Sequence, residues 1–200
     1  MVQVRLFGGV SAASDGGEPL DVGPAKCQAL LAALALSAGS AVPVSRLVEV
    51  VWGEQPPRTA GKTLQSYVTR LRKGLGPGSI VRTGVAYRLD VPADSVDVAR
   101  FQRRLADGEV EAALAEWRGA PLAGLDAPGL TGTVDALVEQ WLGAMEIELG
   151  QRIETDAAAV IGSFTELTAA YPFREELWAL LMTALYRVGR QADALAAYRK

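Results

Sequence analysis

The sequence predicts an α+β fold that is mainly helical, in which a part containing both strands and helices precedes an all-helical part. Strand-like alternation and glycine-rich turns are found near residues 2–22 and 80–89, whereas the longer apolar patterns have the period of a helix. With 200 residues, half of them apolar, the chain has enough apolar material for one or two domains.

The first ninety residues predict short strands, three helices and a closing hairpin. Alternation in residues 2–22 favours short antiparallel strands, and the Ala/Leu-rich residues 25–37 favour a core helix. A second, short helix follows Ser45, which we expect to be its N-cap, and ends at Gly53. The third helix covers residues 59–75.

Glycines follow the third helix closely. We interpret Gly74, Gly76 and Gly78 as a helix stop signal. Residues 80–82 and 85–89 then read as two strands around a turn at Thr83-Gly84.

Strand signals end at Pro92, and only helices are expected beyond it. Residues 96–116 predict two short helices broken near Gly108, and a long ordered loop follows to Gly132. Longer amphipathic helices are predicted at residues 134–155, 157–170, 173–188 and from 191 onward.

Charge changes sign at the same place. Residues 1–90 hold ten basic and six acidic residues, a net charge of +4, while the rest of the chain carries −7. No acid lies between Glu54 and Asp90, an interval with seven basic residues. The overall charge of −3 argues against a nucleic-acid partner, but the basic interval suits a polyanion, the alternative being a solvated helix face.

The predicted third helix has two different faces. One carries the apolar stripe of a core helix, Leu64, Tyr67, Val68, Leu71 and Leu75. The other carries, at helical spacing, Lys62, Ser66, Thr69 and Lys73. Cations and hydroxyls suit phosphates and base edges, and a helix of this kind after a shorter helix is what a helix-turn-helix presents to the major groove.

The hairpin would then act as a wing, with Arg82 and Thr83 close to DNA. We therefore predict a winged helix-turn-helix at residues 1–92 and an all-helical partner-binding domain at residues 93–200. The predicted DNA contacts are Arg58, Lys62, Thr63, Gln65, Ser66, Thr69, Arg70, Arg72, Lys73, Arg82, Thr83 and Arg88. The candidates for base edges among them are Gln65, Ser66, Thr69 and Arg70.

Several segments resemble known domains. Residues 44–53 (VSRLVEVVWG), 67–75 (YVTRLRKGL), 80–83 and 87–89 resemble the winged-helix effector domain of response regulators. Residues 96–101 (VDVARF), 117–122 (WRGAPL) and 177–199 resemble the bacterial transcriptional activation domain. Together they resemble the Streptomyces antibiotic regulatory protein (SARP) family, over residues 1–200.

This resemblance implies a transcription activator of secondary-metabolite (antibiotic) gene clusters. It implies binding to direct repeats in double-stranded promoter DNA by two protomers side by side, and recruitment of RNA polymerase holoenzyme through its sigma factor. Ala192, Ala196 and Tyr198 are also typical of a tetratricopeptide-like fold. The expected location is the cytoplasm, at the nucleoid, and we expect the chain to continue beyond Lys200.

The residue inventory argues against an enzyme. The chain has no histidine and one cysteine, Cys27, so an internal disulfide, a CxxC site, most zinc sites and histidine-based triads are excluded. Gly61-Lys62-Thr63 looks like the end of a phosphate-binding loop, but that motif requires glycine where Pro56 stands. We expect no enzyme activity, metal, cofactor or membrane partner, and a buried structural role for Cys27.

Two other functions stay open from the residues alone. The chain could act as a repressor, or as an interaction scaffold whose basic face binds an acidic protein. Five glutamates of the second part form either a solvated acidic face or a contact for a basic polymerase surface: Glu139, Glu146, Glu148, Glu175 and Glu176.

Overall fold

A computed structural model describes residues 1–199 and contains two compact units, Met1–Glu139 and Gln140–Lys200. A three-stranded antiparallel sheet begins the first unit: β1 (Val2–Arg5) pairs with β2 (Ser11–Ser14), and β2 with β3 (Pro19–Leu20). The strands predicted near the amino terminus are thereby confirmed. Val4 of β1 is fully buried, so the inner face of this sheet belongs to the core.

Three helices follow the sheet. α1 (Ala25–Ala35) is the central one and is buried along most of its length, Cys27 included. It packs against both α2 (Val44–Trp52) and α3 (Ala60–Leu75). The three predicted helices are confirmed, and burial raises the pKa of the Cys27 thiol, opposed by the nearby charge of Arg70.

The predicted N-cap of α2 is wrong. The helix begins at Val44, one residue before Ser45, and no side chain caps it. The short strand β4 (Val42–Pro43) leads directly into the helix, and the Val44 N–H donates to the Val85 carbonyl at 3.0 Å. The hairpin therefore satisfies the first amide of α2, and Ser45 lies inside the helix.

The hairpin consists of β5 (Ile80–Thr83) and β6 (Ala86–Leu89), and β6 lies between β4 and β5 in a second antiparallel sheet. Thr83 pairs with Ala86, so the turn is Gly84-Val85, one residue later than predicted. Gly84 has φ +59, the left-handed conformation that such two-residue turns require.

Gly74 is not part of the stop signal, because α3 continues through it to Leu75. A Cβ added at Gly74 would lie 1.9 Å from the Asp21 carbonyl oxygen, so glycine is required for close approach of the chain before α1. Gly76, with φ +106, terminates the helix.

Two short helices, α4 (Asp97–Ala106) and α5 (Val110–Leu114), follow the second sheet and confirm the predicted break near Gly108. Single-turn 3-10 helices occur at Ala93–Ser95 and Pro128–Leu130. The first compact unit extends to Glu139 and so includes all of these elements. Residues on both sides of position 92/93 pack together within this unit. The domain boundary at 92/93 stays a prediction.

Asp97 joins the two sides of that predicted boundary. Asp97 is 2% exposed, and its carboxylate accepts hydrogen bonds from the backbone N–H groups of Leu6 at 2.9 Å, Phe7 at 3.0 Å and Val98 at 2.8 Å. Burial raises the pKa of Asp97, although these N–H donors oppose the shift. The carboxylate thus fixes the start of α4 against the chain that follows β1.

The segment at residues 117–130 docks on the amino-terminal elements. Phe7 packs against Phe101 and Trp117, with ring centroids 5.3 and 4.6 Å apart, and the Leu122 N–H donates to the Leu6 carbonyl at 2.8 Å. Farther along, the Gly129 carbonyl accepts a hydrogen bond from Arg46 of α2 at 2.7 Å. The WRGAPL motif therefore has a structural role in joining these parts.

The remaining helices are α6 (Thr131–Ala170), α7 (Glu175–Arg187) and α8 (Gln191–Tyr198). Helical geometry is interrupted in α6 at Asp156, with φ −150 and ψ 76, where the sequence predicted a break between two helices. No helix within residues 1–199 is long and apolar enough to cross a bilayer.

The second unit, taken by itself, has a core that includes Leu142, Phe164 and Leu177. Glu146 fits neither role suggested for it from sequence. Its side chain is 13% exposed and forms a two-pronged ion pair with Arg174 at 2.6 and 3.1 Å. Glu146 thus has a structural role within this unit.

Candidate nucleic-acid interface

Helix α3 is held by its apolar stripe. Leu64, Val68, Leu71 and Leu75 are all buried, as the periodicity predicts. Tyr67 is half-buried and stacks on Trp52 at the end of α2, with ring centroids 6.0 Å apart and planes inclined by 17°. This packing fixes the rotation of α3 about its axis, so the opposite face points to solvent.

Nine of the twelve predicted contact residues are exposed: Arg58, Lys62, Gln65, Ser66, Thr69, Arg70, Lys73, Arg82 and Thr83. Thr63, Arg72 and Arg88 are half-buried. The exposed ones lie before α3, along its outer face and on the hairpin.

Most exposed cations of this surface lack an acidic partner. Within residues 1–199, no carboxylate lies within ion-pair distance of Arg58, Lys62, Lys73 or Arg82. Arg82 instead donates from Nε to the Gly84 carbonyl across the turn, at 3.1 Å. These charges are therefore available to an external anion such as a phosphate.

The hydroxyl groups on α3 are oriented by the helix itself. Ser66 Oγ donates to the Lys62 carbonyl at 3.3 Å, and Thr69 Oγ1 donates to the Gln65 carbonyl at 2.9 Å. Their protons are used within the helix, and the oxygen lone pairs face outward. In this arrangement both hydroxyls can accept a hydrogen bond from the amino group of a base.

Arg72 and Arg88 are bound within the protein. Arg72 donates from Nε to the Ile80 carbonyl at 2.8 Å and so joins α3 to β5. Arg88 pairs with Asp90 at 2.9 Å. The Arg72 bond fixes the hairpin relative to α3, whereas the Arg88–Asp90 pair lies at the end of β6.

Asp21 was not identified from the sequence, yet it lies on this surface. A concavity of about 570 Å³ is lined by Asp21, Ser66, Thr69, Arg70, Lys73 and Gly74. Asp21 Oδ2 is 3.9 Å from Arg70 Nη2. The absence of acids between Glu54 and Asp90 did not indicate a carboxylate on this surface, because Asp21 lies earlier in the chain, between β3 and α1. Val85 at the hairpin turn is 79% exposed, and the charge pattern of the sequence did not indicate this because valine carries no charge.

Comparisons with known proteins identify the family. Residues 17–89 match the family described as "Transcriptional regulatory protein, C terminal", and residues 96–200, half of the chain, match "Bacterial transcriptional activator domain". Regulatory protein DnrI of Streptomyces peucetius is 34% identical over 230 residues, which cover 100% of this chain and 83% of DnrI. The chain belongs to the SARP family of transcriptional activators.

Other SARP-like relatives are longer than this chain. Regulatory protein AfsR of Streptomyces coelicolor is 37% identical over 209 residues, and the match covers 96% of this chain but 21% of AfsR. A solved structure, Mycobacterium tuberculosis EmbR in complex with a low affinity phosphopeptide, matches with a TM-score of 0.85 and 33% identity. That match covers 99% of this chain and 58% of the EmbR chain. The predicted fold, a winged helix followed by a helical activator domain, is confirmed.

Proposed function

We propose that this SARP-family chain activates secondary-metabolite biosynthesis genes by binding direct repeats in their promoters and recruiting RNA polymerase through its sigma factor. Two protomers would lie side by side on adjacent repeats. The observation that carries the proposal is the outer face of α3, where Lys62 and Lys73 are exposed without an acidic partner among residues 1–199.

On this face we assign two groups of contacts. Arg58, Lys62, Lys73 and Arg82 bind phosphates, because they are exposed cations free of carboxylate partners within residues 1–199. Gln65, Ser66, Thr69 and Arg70 contact base edges, since they lie along the middle of the exposed face. Thr63, Thr83 and Arg88 add phosphate contacts, and Arg72 acts mainly by positioning the hairpin relative to α3.

DNA selection tests the proposal directly. Duplexes enriched by the protein from a random-sequence library are compared with scrambled duplexes of the same composition. We expect tight, salt-sensitive binding to the selected duplex and a footprint over direct repeats. Arg70→Ala should abolish the footprint without changing the unfolding temperature, and Arg152→Ala on α6 is the matched control, because it also removes an exposed arginine.

Transcription with purified RNA polymerase holoenzyme then separates the alternatives. We expect more transcript from a promoter that carries the selected repeats upstream. Less transcript would identify a repressor. Absence of any enrichment from the library would favour the scaffold function instead.

A further inference from the structure

We propose that Asp21 is a positioning residue that orients Arg70 for base recognition and weakens its attraction to phosphates, so that Asp21 increases the sequence selectivity of DNA binding. The inference rests on the proposed function, because Asp21 and Arg70 line the same concavity beside α3.

The carboxylate of Asp21 is held in one orientation. Its Oδ1 accepts the Gly23 N–H at 2.8 Å, and its Oδ2 faces Arg70 Nη2 at 3.9 Å. The backbone therefore fixes one carboxylate oxygen and directs the other toward the guanidinium group.

Gly23 provides a surface for the arginine side chain. It has φ +73, and a Cβ added there would lie 3.0 Å from Arg70 Nε and 3.2 Å from Arg70 Cδ. The Gly23 carbonyl accepts a hydrogen bond from Gln28 of α1 at 3.0 Å, which holds this turn to the core helix. Arg70 thus lies in a slot that a larger residue at position 23 would narrow.

Asp21 is also fixed relative to α3 itself. Its carbonyl oxygen approaches Gly74 so closely that a Cβ there would lie 1.9 Å away. The backbone of Asp21 is therefore fixed relative to the helix that carries Arg70.

The Arg70–Asp21 ion pair contributes little to the free energy of unfolding. The side chains of Arg70 and Asp21 are 55% and 70% exposed, and exposed ion pairs stabilise a fold only weakly. Its effect on DNA binding is larger for two reasons. An oriented guanidinium loses less rotamer freedom when it binds a base edge, and a nearby carboxylate repels phosphates of any sequence.

Asp21→Asn is the informative variant, because the amide oxygen still accepts the Gly23 N–H while the charge is lost. We expect the affinity for a scrambled duplex to rise and the ratio of selected to scrambled affinity to fall about fivefold or more, in the range of one base contact. Asp15→Asn is the matched control, since it removes an exposed acid that pairs with the amino terminus. Its affinity ratio should equal that of the wild type, because the loss of one unit of charge there changes the affinity for both duplexes alike.

A double mutant tests whether Asp21 acts through Arg70. In the Arg70→Ala background, where selective binding is already lost, the readout is the affinity for the scrambled duplex: Asp21→Asn should raise it no more than Asp15→Asn does, because the guanidinium group that Asp21 restrains is gone. A rise as large as in the wild-type background would overturn the inference, since a general electrostatic effect does not depend on Arg70. Unfolding temperatures of all variants establish that they fold.

Failure of the proposed function is distinguishable from failure of this inference. If the wild type enriches no sequence from the library, both fail. If the wild type is selective and Asp21→Asn keeps the same affinity ratio, only the role of Asp21 is refuted.

Discussion

Gly74 positions α3 through the side chain it lacks. The Asp21 carbonyl occupies the space of a β-carbon there, which places the chain before α1 against α3. The sequence suggested only that Gly74 ends a helix, because local propensity does not indicate what packs against it.

Replacement of Gly74 by alanine is therefore expected to destabilise the protein. The added methyl group must displace the Asp21 backbone, and overpacking of this kind costs about 1–3 kcal/mol. Gly61→Ala in the same helix is the control. Apart from its chain neighbours and the backbone of its own helix, no atom of residues 1–199 lies within 4 Å of a Cβ at position 61, so this change should stabilise the protein by up to about 1 kcal/mol. Urea unfolding measures both, and equal stabilities would contradict the packing argument.

Asp97 is a second single residue that links distant parts of the chain, because its carboxylate accepts the N–H groups of Leu6 and Phe7. Asp97→Asn should lower the free energy of unfolding by about 1–3 kcal/mol, because the amide has one acceptor oxygen and leaves a buried N–H of Leu6 or Phe7 unpaired. Asp126→Asn, at an exposed position, should change stability by less than about 0.5 kcal/mol. Thermal unfolding followed by circular dichroism compares the two variants.

At the scale of elements, α3 has one face buried in the core and one face exposed to solvent. Its apolar stripe was predictable, because helical periodicity is written locally and burial of Leu64, Val68 and Leu71 follows from it. The cation-rich outer face was predictable for the same reason. Its partners were not: the bond from Arg72 to the Ile80 carbonyl and the position of Asp21 depend on packing between distant segments.

The number of phosphates bound by α3 can be determined from salt dependence. Lys62→Ala with Lys73→Ala should flatten the slope of log affinity against log salt by about 0.9 for each phosphate that the variant no longer binds. Arg152→Ala, which removes a cation from α6, should leave the slope unchanged. An unaltered slope in the double variant would show that neither lysine binds a phosphate.

At the scale of the whole chain, the order of elements was predictable but the assembly of the first unit was not. Pro92 and the change of charge pointed to a boundary at 92/93, yet Phe7, Phe101 and Trp117 pack together across it. Aromatic residues among leucines indicate a core, and sequence alone does not tell which elements share it.

Acid stability tests one ionic network of this unit. Glu116 is 11% exposed and pairs with Arg100 at 2.8 Å and Arg104 at 3.1 Å. Burial alone raises the pKa of Glu116, but the hydrogen bonds and charge of Arg100, with the charge of Arg104, lower it below its ordinary value overall. A carboxyl whose pKa is lowered by folding adds stability above its unfolded pKa, and this stability is lost as the pH falls through the folded pKa.

Glu116→Gln should therefore be less stable than the wild type near pH 6, and the difference should shrink as the pH falls from about 5 to about 3. Glu166→Gln, at an exposed position on α6, is the control and should follow the wild type. Urea unfolding across this pH range gives the comparison. A difference that is constant with pH would mean that the charge of Glu116 is not what stabilises the unit.

The docking of residues 117–130 determines where hybrid regulators can be joined. With a junction at residue 92, Phe7 and Trp117 come from different parent proteins, although their rings are in contact. The same holds for Arg46 and Gly129, which form a hydrogen bond. A junction after Glu139 keeps both pairs from one parent. Grafting a new promoter preference onto a SARP scaffold thus requires transplanting the winged helix together with the segment that follows it.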